Sequence, residues 1–205
     1  IDLSFQEKIT LFSLVSGAAQ QDPSTNVRFA AFRTLGMMIK CGAFAPKAST
    51  VSSSSSSSAT SSALSFEDTF FADCAQLLCE TLDEDPLEDK LIGRVTWAIA
   101  NLTNVIADQQ RVNPNSCNVL MNAIPTQSWH DLVTKLLSIG KAQNLSQQPN
   151  IIRALGYFVQ VSFAHKQCCD ALNEIIAFFS TLLTNLVKAT HHQQGGRRSR
   201  ARVSQ

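Results

Sequence analysis

The chain has 205 residues, enough for one ordinary domain or for about four or five helix pairs of ~40–47 residues each. Its apolar share of 44% supplies a buried core, and its net charge of +1 favours no strongly charged partner. Residues 191–205 hold four arginines and no acid, so the rest of the chain carries −3, four units below the total. A mildly acidic body argues against broad nucleic-acid binding, which needs several basic side chains on one face.

The six cysteines form no CxxC motif, and the four histidines have no HExxH or zinc-finger spacing, so we expect no metal site and no cofactor. Cys74 and Cys79 lie in an apolar helical pattern, where a free cysteine behaves as a small hydrophobe. We predict reduced, structural cysteines throughout and a cytoplasmic or nuclear location, with a metal or redox role as the alternative. The six are Cys41, Cys74, Cys79, Cys117, Cys168 and Cys169.

Capping and breaking residues predict the first helices. Ser4 followed by Glu7 is a capping-box pattern, so a helix is expected from about Phe5 to Ala18. A break around Asp22 precedes a second helix over residues 25–40. Residues 45–64 contain seven consecutive serines and too little apolar surface to offset chain entropy, so they are predicted to be a disordered insertion.

Helical order is predicted to resume with Ser65 as N-cap and to stop at the acidic residues 83–86. The next helix should end before a loop at residues 108–116. Ser128 is the predicted N-cap of the following helix, and Pro149 is expected in the first turn of the one after it. The apolar residues of the helix before residue 108 step by four, three and four: Val95, Ile99, Leu102 and Ile106.

A last long helix is predicted from about Lys166 to Lys188. Its stretch Ile175–Val187 is too short for a membrane span, so we expect a buried core helix. Residues 191–205 are predicted to form a basic disordered tail. No segment has the pattern of a strand, so the expected fold is all-α. The predicted inner stripe of the last helix is Leu172, Ile176, Phe179, Leu183 and Leu186.

One short phrase recurs inside these helices: a large aliphatic residue, then a small one, then further apolar positions. It occurs at Leu35-Gly36, Ile99-Ala100 and Leu155-Gly156, with spacings of 64 and 56 residues between the small residues. A small residue lets neighbouring helices approach closely, which offsets the cost of glycine in a helix. The recurrence predicts one helix pair repeated about three and a half times, each pair burying its apolar face against the next.

The residues around these phrases resemble HEAT/armadillo repeats. Asp22, Val27-Arg28 and Leu35-Gly36 lie where a HEAT second helix carries its Asp, Val-Arg and Leu-Gly, and we expect Arg28 to have a structural role with Asp22. Similar pieces are Phe71–Ala75, Trp97–Thr103 and Asn150–Gly156, so the resemblance covers about residues 22–162. The departures are the serine insertion, Ala100 in place of Gly, and Ile92-Gly93 near the usual Val-Arg position.

The resemblance implies an α-α superhelix of about three to four helix pairs over residues 1–190, with second helices lining a concave side. It implies no catalytic residues. Because the chain begins at Ile1 in a helical pattern, we expect it to be part of a longer repeat protein. Polar residues on the second helices are the candidate partner-binding residues: Asn101, Asn104, Arg153 and Gln160.

The sequence therefore favours a protein-interaction scaffold that binds a protein or peptide partner, with no membrane association. The alternative is an adaptor in nuclear transport or nucleic-acid-associated work that uses the basic tail at residues 191–205. An enzyme is not expected, since no GxSxG, P-loop, GxGxxG or metal-ligand spacing occurs.

Overall fold

A computed structural model describes residues 3–41, 66–84, 87–112, 114, 121–122, 124–142, 148–164 and 171–202, and of 66–68, 162–164 and 189–202 it describes the backbone alone. Regular structure in these residues is entirely helical, as the sequence predicts. The serine-rich segment at 45–64, Ser65, Cys117 and the pair Cys168–Cys169 lie outside the described residues. The helices are α1 Phe5–Gln21, α2 Thr25–Lys40, α3 Phe66–Leu82, α4 Asp89–Val112, α5 Thr126–Lys141, α6 Gln148–Ala164 and α7 Leu172–Arg202.

The predicted capping box at the start of α1 is confirmed. The Ser4 backbone N–H donates to Glu7 Oε2 at 2.7 Å, and the Glu7 backbone N–H donates to Ser4 Oγ at 3.4 Å. These reciprocal bonds satisfy amides that a helix start leaves without partners. Hydrogen bonds from the Ser4 hydroxyl and backbone N–H to the Glu7 carboxylate lower the pKa of Glu7, because they favour its charged form.

Two helix boundaries in the middle of the chain differ from the prediction. Helix α4 continues past Asp108 to Val112, because Arg111 in its last turn bonds both Asp108 and Gln160 of α6. A basic side chain also suits the C-terminal end of a helix. Helix α5 begins at Thr126 behind Pro125, so Ser128 lies in the first turn and is not the N-cap.

The last helix ends later than predicted, since it runs to Arg202 and not to about Lys188. Its described part begins at Leu172, and the predicted start at about Lys166 lies outside the described residues. The backbone of residues 191–202 is therefore helical, although the sequence predicts a disordered tail there. A helix that has already formed gains one hydrogen bond for each further residue, and the arginines, glutamines and alanine of this segment favour a helix against the cost of Gly195 and Gly196.

The helices pack in two rows. Helices α1, α3, α5 and α7 contact one another in that order, and α2, α4 and α6 do the same. Contacts between the rows join α1 to α2, α3 to α4, α5 to α6, and α6 to α7. Each helix thus buries apolar surface against its chain neighbour and against the next helix of its own row.

The small residues of the recurring phrase do not share one role. A Cβ added to Gly36 would lie 2.8 Å from Trp97 Cε3 and closer still to Cζ3, so α4 packs directly onto this glycine of α2. Ala100 is fully buried. A Cβ on Gly156, in contrast, would meet none of the described residues within 4 Å, so the predicted close approach is not made among them at that position. Gly140 of α5 makes such a contact instead, with its Cβ position 2.9 Å from Phe178 Cζ.

Helix α4 lies at the centre of the apolar core because it contacts α2, α3 and α6. Every residue from Ala98 to Thr103 is buried, which leaves no solvent face at its middle. Cys74 and Cys79 are free cysteines buried in α3, as the apolar pattern predicts, whereas Cys41 is exposed. The largest fully buried side chains are Phe32, Phe70, Phe71, Leu35, Ile39, Leu78, Leu91, Ile99, Leu102 and Ile106.

Candidate protein-interaction surface

Asn101 is the one predicted binding residue that the structure places in the core. Its side chain is 3% exposed, and its Nδ2 donates to the Gly36 backbone oxygen at 3.1 Å. This bond ties α4 to α2 beside the contact between Gly36 and Trp97. Asn101 therefore acts in helix packing and does not line an accessible surface, which corrects its assignment to the partner-binding set.

Asn104 and Gln160, in contrast, belong to one surface network that joins α4 to α6. Asn104 Nδ2 donates to Asp108 Oδ2 at 3.2 Å, and Arg111 Nη1 donates to Asp108 Oδ1 at 3.3 Å. Arg111 Nη2 then donates to Gln160 Oε1 at 2.5 Å. We call these four residues, Asn104, Asp108, Arg111 and Gln160, the polar patch.

Arg153 lies on the exposed side of α6, seven residues before Gln160. A spacing of seven is close to two helical turns, so both side chains lie on the same face of α6. Arg153 therefore shares a face of α6 with Gln160, about 10 Å from it along the helix, whereas Asn101 is buried. Three of the four predicted residues share a surface formed by α4 and α6.

An aromatic cluster extends this surface towards α2 and is absent from the sequence prediction. The Arg94 guanidinium lies 4.4 Å from the ring centre of Phe29 and 5.9 Å from that of Trp97. We call Phe29, Arg94 and Trp97 the aromatic patch. Arginine and aromatic residues are enriched at protein interfaces, and a cation over a ring adds to their mutual attraction.

The sequence held part of the signal for the aromatic patch. Arg94 and Trp97 are three residues apart in a helix, which puts them on one face. Phe29 comes from α2, and only the packing of α2 against α4 brings its ring under the guanidinium. A search for arginine–aromatic pairs at helical spacing would have found two of the three residues.

Arg28 has the structural role that the sequence predicts, but its partner differs. Its Nη2 donates to both carboxylate oxygens of Glu84, at 2.5 and 2.7 Å, and its Nε donates to the Ala19 backbone oxygen at 2.7 Å. The predicted partner Asp22 instead accepts from the Ser24 backbone N–H. Arg28 thus links the first helix pair to the turn after α3.

A second polar contact joins α3 to α5. Lys135 Nζ lies 2.6 Å from Asp83 Oδ2 and 3.0 Å from Cys79 Sγ, and it donates to the Cys79 backbone oxygen at 3.1 Å. Burial alone would lower the pKa of Lys135, but the hydrogen bonds and charges of Asp83 and Cys79 outweigh it, so the pKa is raised. Together with Arg28, this contact is a polar link between successive helix pairs.

Within the described part of the chain, no group of three or more His, Cys, Asp or Glu side chains could hold a metal ion. Burial raises the pKa of the Cys74 thiol well above its usual range and keeps it protonated, which removes its nucleophilic character. None of the helices in the described ranges has the length and apolar character needed to cross a membrane.

Comparisons with protein-family models, curated proteins and solved structures found no match to this chain. The resemblance to HEAT/armadillo repeats therefore stays a prediction from the residues that carry it.

Proposed function

We propose that this protein is a non-catalytic interaction scaffold whose helix pairs form an α-solenoid of HEAT/armadillo type. The observation that carries the proposal is the order of helix contacts, in which each helix packs on its chain neighbour and on the next helix of its row. Repeat proteins have this nearest-neighbour arrangement, and they use the extended surface of stacked pairs for binding.

The second-row helices α2, α4 and α6 offer the binding surface, because both patches and Arg153 lie on them. The polar patch is held by exposed contacts such as the Asp108–Arg111 ion pair, whose side chains are 53% and 60% exposed. Exposed ion pairs contribute only about 0–1 kcal/mol to stability. These side chains can therefore give up their contacts with one another and bind a partner at little cost. The aromatic patch supplies apolar area beside them, which is the composition of a protein-binding surface.

Site-specific cross-linking tests which row binds. A photo-reactive amino acid at Arg153 of α6 should capture a defined protein in cells, whereas the same group at Thr10 of α1 should not. Both positions are exposed, and they lie on opposite rows. Capture at Thr10 alone would contradict the assignment of the second row.

Calorimetry with the purified captured protein then tests the residues. We expect Arg153→Ala and Arg94→Ala each to weaken binding by about tenfold or more, the range found for central arginine residues. Lys141→Ala on α5 is the matched control, since it removes an exposed positive charge from the other row. Equal losses in all three variants would contradict the proposed surface. Salt-sensitive nucleic-acid binding that disappears on deletion of residues 191–205 would instead support the adaptor alternative.

A further inference from the structure

Charge is sorted between the two rows of helices, although the chain as a whole is nearly neutral. The second-row helices α2, α4 and α6 carry seven basic and two acidic residues. The first-row helices α1, α3 and α5 carry three basic and six acidic residues, and α7 has its four arginines at its far end, in residues 197–202. The net charge of +1 therefore conceals a basic second row, whose field attracts negative charge to that side of the protein.

Basic side chains between helix pairs have acidic partners, whereas several on the outside of the second row do not. Arg28 and Lys135 each form an ion pair with the turn after α3, at residues 83–84. Among the described residues, three second-row arginines have no carboxylate within ion-pair distance. A guanidinium is always charged and matches the two oxygens of a carboxylate. The three are Arg33 of α2, Arg94 of α4 and Arg153 of α6.

The contact between α2 and α4 brings Arg33 and Arg94 onto one surface. On α2, Arg33 follows Phe29 by four residues, so the two side chains share a face of that helix. The Arg94 guanidinium lies 4.4 Å from the ring centre of Phe29. A guanidinium over a ring can still donate through the N–H groups of its planar edge, so Arg94 can bind a carboxylate without leaving Phe29.

The contact between α4 and α6 adds Arg153 to the same surface. Asn150 Nδ2 donates to the Gly93 backbone oxygen at 3.4 Å, one residue before Arg94. Arg153 follows Asn150 by three residues, so the two are neighbours on the surface of α6. We call Arg33, Arg94 and Arg153 the arginine line. Packed helices lie about 8–10 Å apart, so the arginine line crosses three helices over roughly 16–20 Å.

The arginine line fits an extended acidic segment of a protein better than a nucleic acid. An extended chain covers about 3.3–3.6 Å per residue, so acidic residues three positions apart match the distance between neighbouring helices. Single-stranded nucleic acids bind by stacking bases on open aromatic rings. Here Arg94 covers Phe29, and Trp97 packs against Gly36. The exposed carboxylate of Asp108 on α4 would also repel a phosphate backbone.

We propose that the second row binds an extended acidic segment of the partner protein, with the carboxylates of that segment held by the arginine line. This inference rests on the proposed function, because it names the chemistry of the partner for the same surface. The attraction acts before contact and is screened by salt, so association should slow and weaken as the salt concentration rises.

A synthetic acidic peptide tests the proposal on the full chain. The probe is a fluorescent nine-residue peptide with glutamates at its second, fifth and eighth positions, and its control has glutamines there. Fluorescence anisotropy should show saturable binding of the probe, weakened by added salt, and none of the control. Arg33→Gln, Arg94→Gln and Arg153→Gln should each weaken binding by about three- to tenfold.

Two matched variants remove positive charge elsewhere and should leave peptide binding unchanged. Lys141→Gln removes an exposed charge from α5 of the first row, and Arg197→Gln removes an arginine from the basic end of α7. A charge-reversed protein with Arg33→Glu and Arg153→Glu should lose the glutamate peptide and bind a lysine peptide of the same spacing. Wild-type circular dichroism and urea midpoints show that each loss lies in binding and not in folding.

Several results would overturn the proposal. One is absence of saturable binding of the glutamate peptide, and another is equal loss in Lys141→Gln or Arg197→Gln. Tighter binding of a single-stranded oligonucleotide, lost in Arg94→Gln, would assign the arginine line to nucleic acid. Sedimentation equilibrium that shows a dimer, lost in Arg153→Gln, would assign it to acidic residues of a second copy of this chain.

The peptide result is separable from the test of the scaffold. Capture of a protein at Arg153 with no binding of the glutamate peptide would contradict the acidic chemistry and keep the second row as the binding surface. Capture at Thr10 alone, with the glutamate peptide still bound by the arginine line, would contradict the scaffold surface instead.

Discussion

Replacing Gly36 by alanine should destabilise the protein, whereas the same change at Gly156 should stabilise it. Both glycines follow a leucine in the recurring phrase, and both lie inside helices. They differ in what surrounds them: an added Cβ would lie 2.8 Å from Trp97 Cε3 at Gly36, whereas at Gly156 it would meet none of the described residues within 4 Å. The pair therefore separates helix propensity from packing in one protein.

The magnitudes follow from the two opposing effects. Alanine is favoured over glycine inside a helix by about 0.5–1 kcal/mol. Carbon atoms pack best about 3.5–4.0 Å apart, so the indole must move by roughly 1 Å to admit the new methyl group. Overpacking of this kind costs about 1–3 kcal/mol. Gly156→Ala should thus raise the free energy of unfolding by about 0.5–1 kcal/mol. The Gly36→Ala variant should have a free energy of unfolding about 1–3 kcal/mol lower than that of Gly156→Ala, because it also carries the overpacking cost.

Urea unfolding followed by far-ultraviolet circular dichroism measures both changes, provided that the slope against urea stays constant. A double variant supplies the control. In a Trp97→Ala background the clash is removed, so Gly36→Ala should become stabilising by about 0.5–1 kcal/mol. Equal stabilisation by the two alanine substitutions in the wild-type background would refute the packing of Trp97 on Gly36.

Three other substitutions test separate contacts. Arg28→Lys keeps the charge but loses the bifurcated hydrogen bond to Glu84 and the hydrogen bond to the Ala19 oxygen. It should therefore lower the free energy of unfolding in urea by about 1–2 kcal/mol. An unchanged urea midpoint would contradict the link between Arg28 and Glu84. Asn101→Ala should cost about 1–2 kcal/mol because it removes a buried hydrogen bond between α4 and α2. The exposed Arg153→Ala should change stability by less than about 0.5 kcal/mol. Ser4→Ala should raise the pKa of Glu7 towards its ordinary value, measured by carboxyl NMR titration. A lowered pKa of Glu7 stabilises the folded protein at pH above the pKa of Glu7 in the unfolded chain, and this stabilisation is lost as the pH falls. The Ser4→Ala variant should therefore lose less stability than wild type on acidification. Equal losses in the two proteins would argue against the capping box.

Local signals in the sequence predicted the helices well where they act within one turn. The capping box at Ser4 and Glu7 placed the start of α1, and the second helix matches its predicted range of residues 25–40. Signals that depend on distant residues failed. Arg28 pairs with Glu84, 56 residues away, and no spacing rule identifies that partner.

The candidate site was predicted only in part, because burial of its residues also depends on distant parts of the chain. Helical periodicity assumes one buried face, but the middle of α4 is enclosed by other helices, so the polar Asn101 lies inside. On α7 the opposite occurs, because apolar residues such as Leu183 lie outside. Periodicity tells which residues share a face, whereas burial depends on how many neighbours the helix has.

The repeated aliphatic–small phrase marks close helix packing at one position and not at another. At Gly36 it marks a real contact between second-row helices, and at Gly156 it does not within the described residues. Gly140 makes an equivalent contact in the first row without any such phrase, and the sequence prediction missed it. A glycine in a helix therefore predicts close packing only when a large side chain from another helix lies against it.

The stacking of helices in two rows is most directly tested by one nuclear Overhauser experiment on protein labelled at glycine, tryptophan and phenylalanine. The account predicts cross-peaks between the Gly36 α protons and the Trp97 ring, and between the Gly140 α protons and the Phe178 ring. It predicts no cross-peak from the Gly156 α protons to either ring. Absence of the first two cross-peaks in a folded, helical protein would contradict the arrangement on which the scaffold proposal depends.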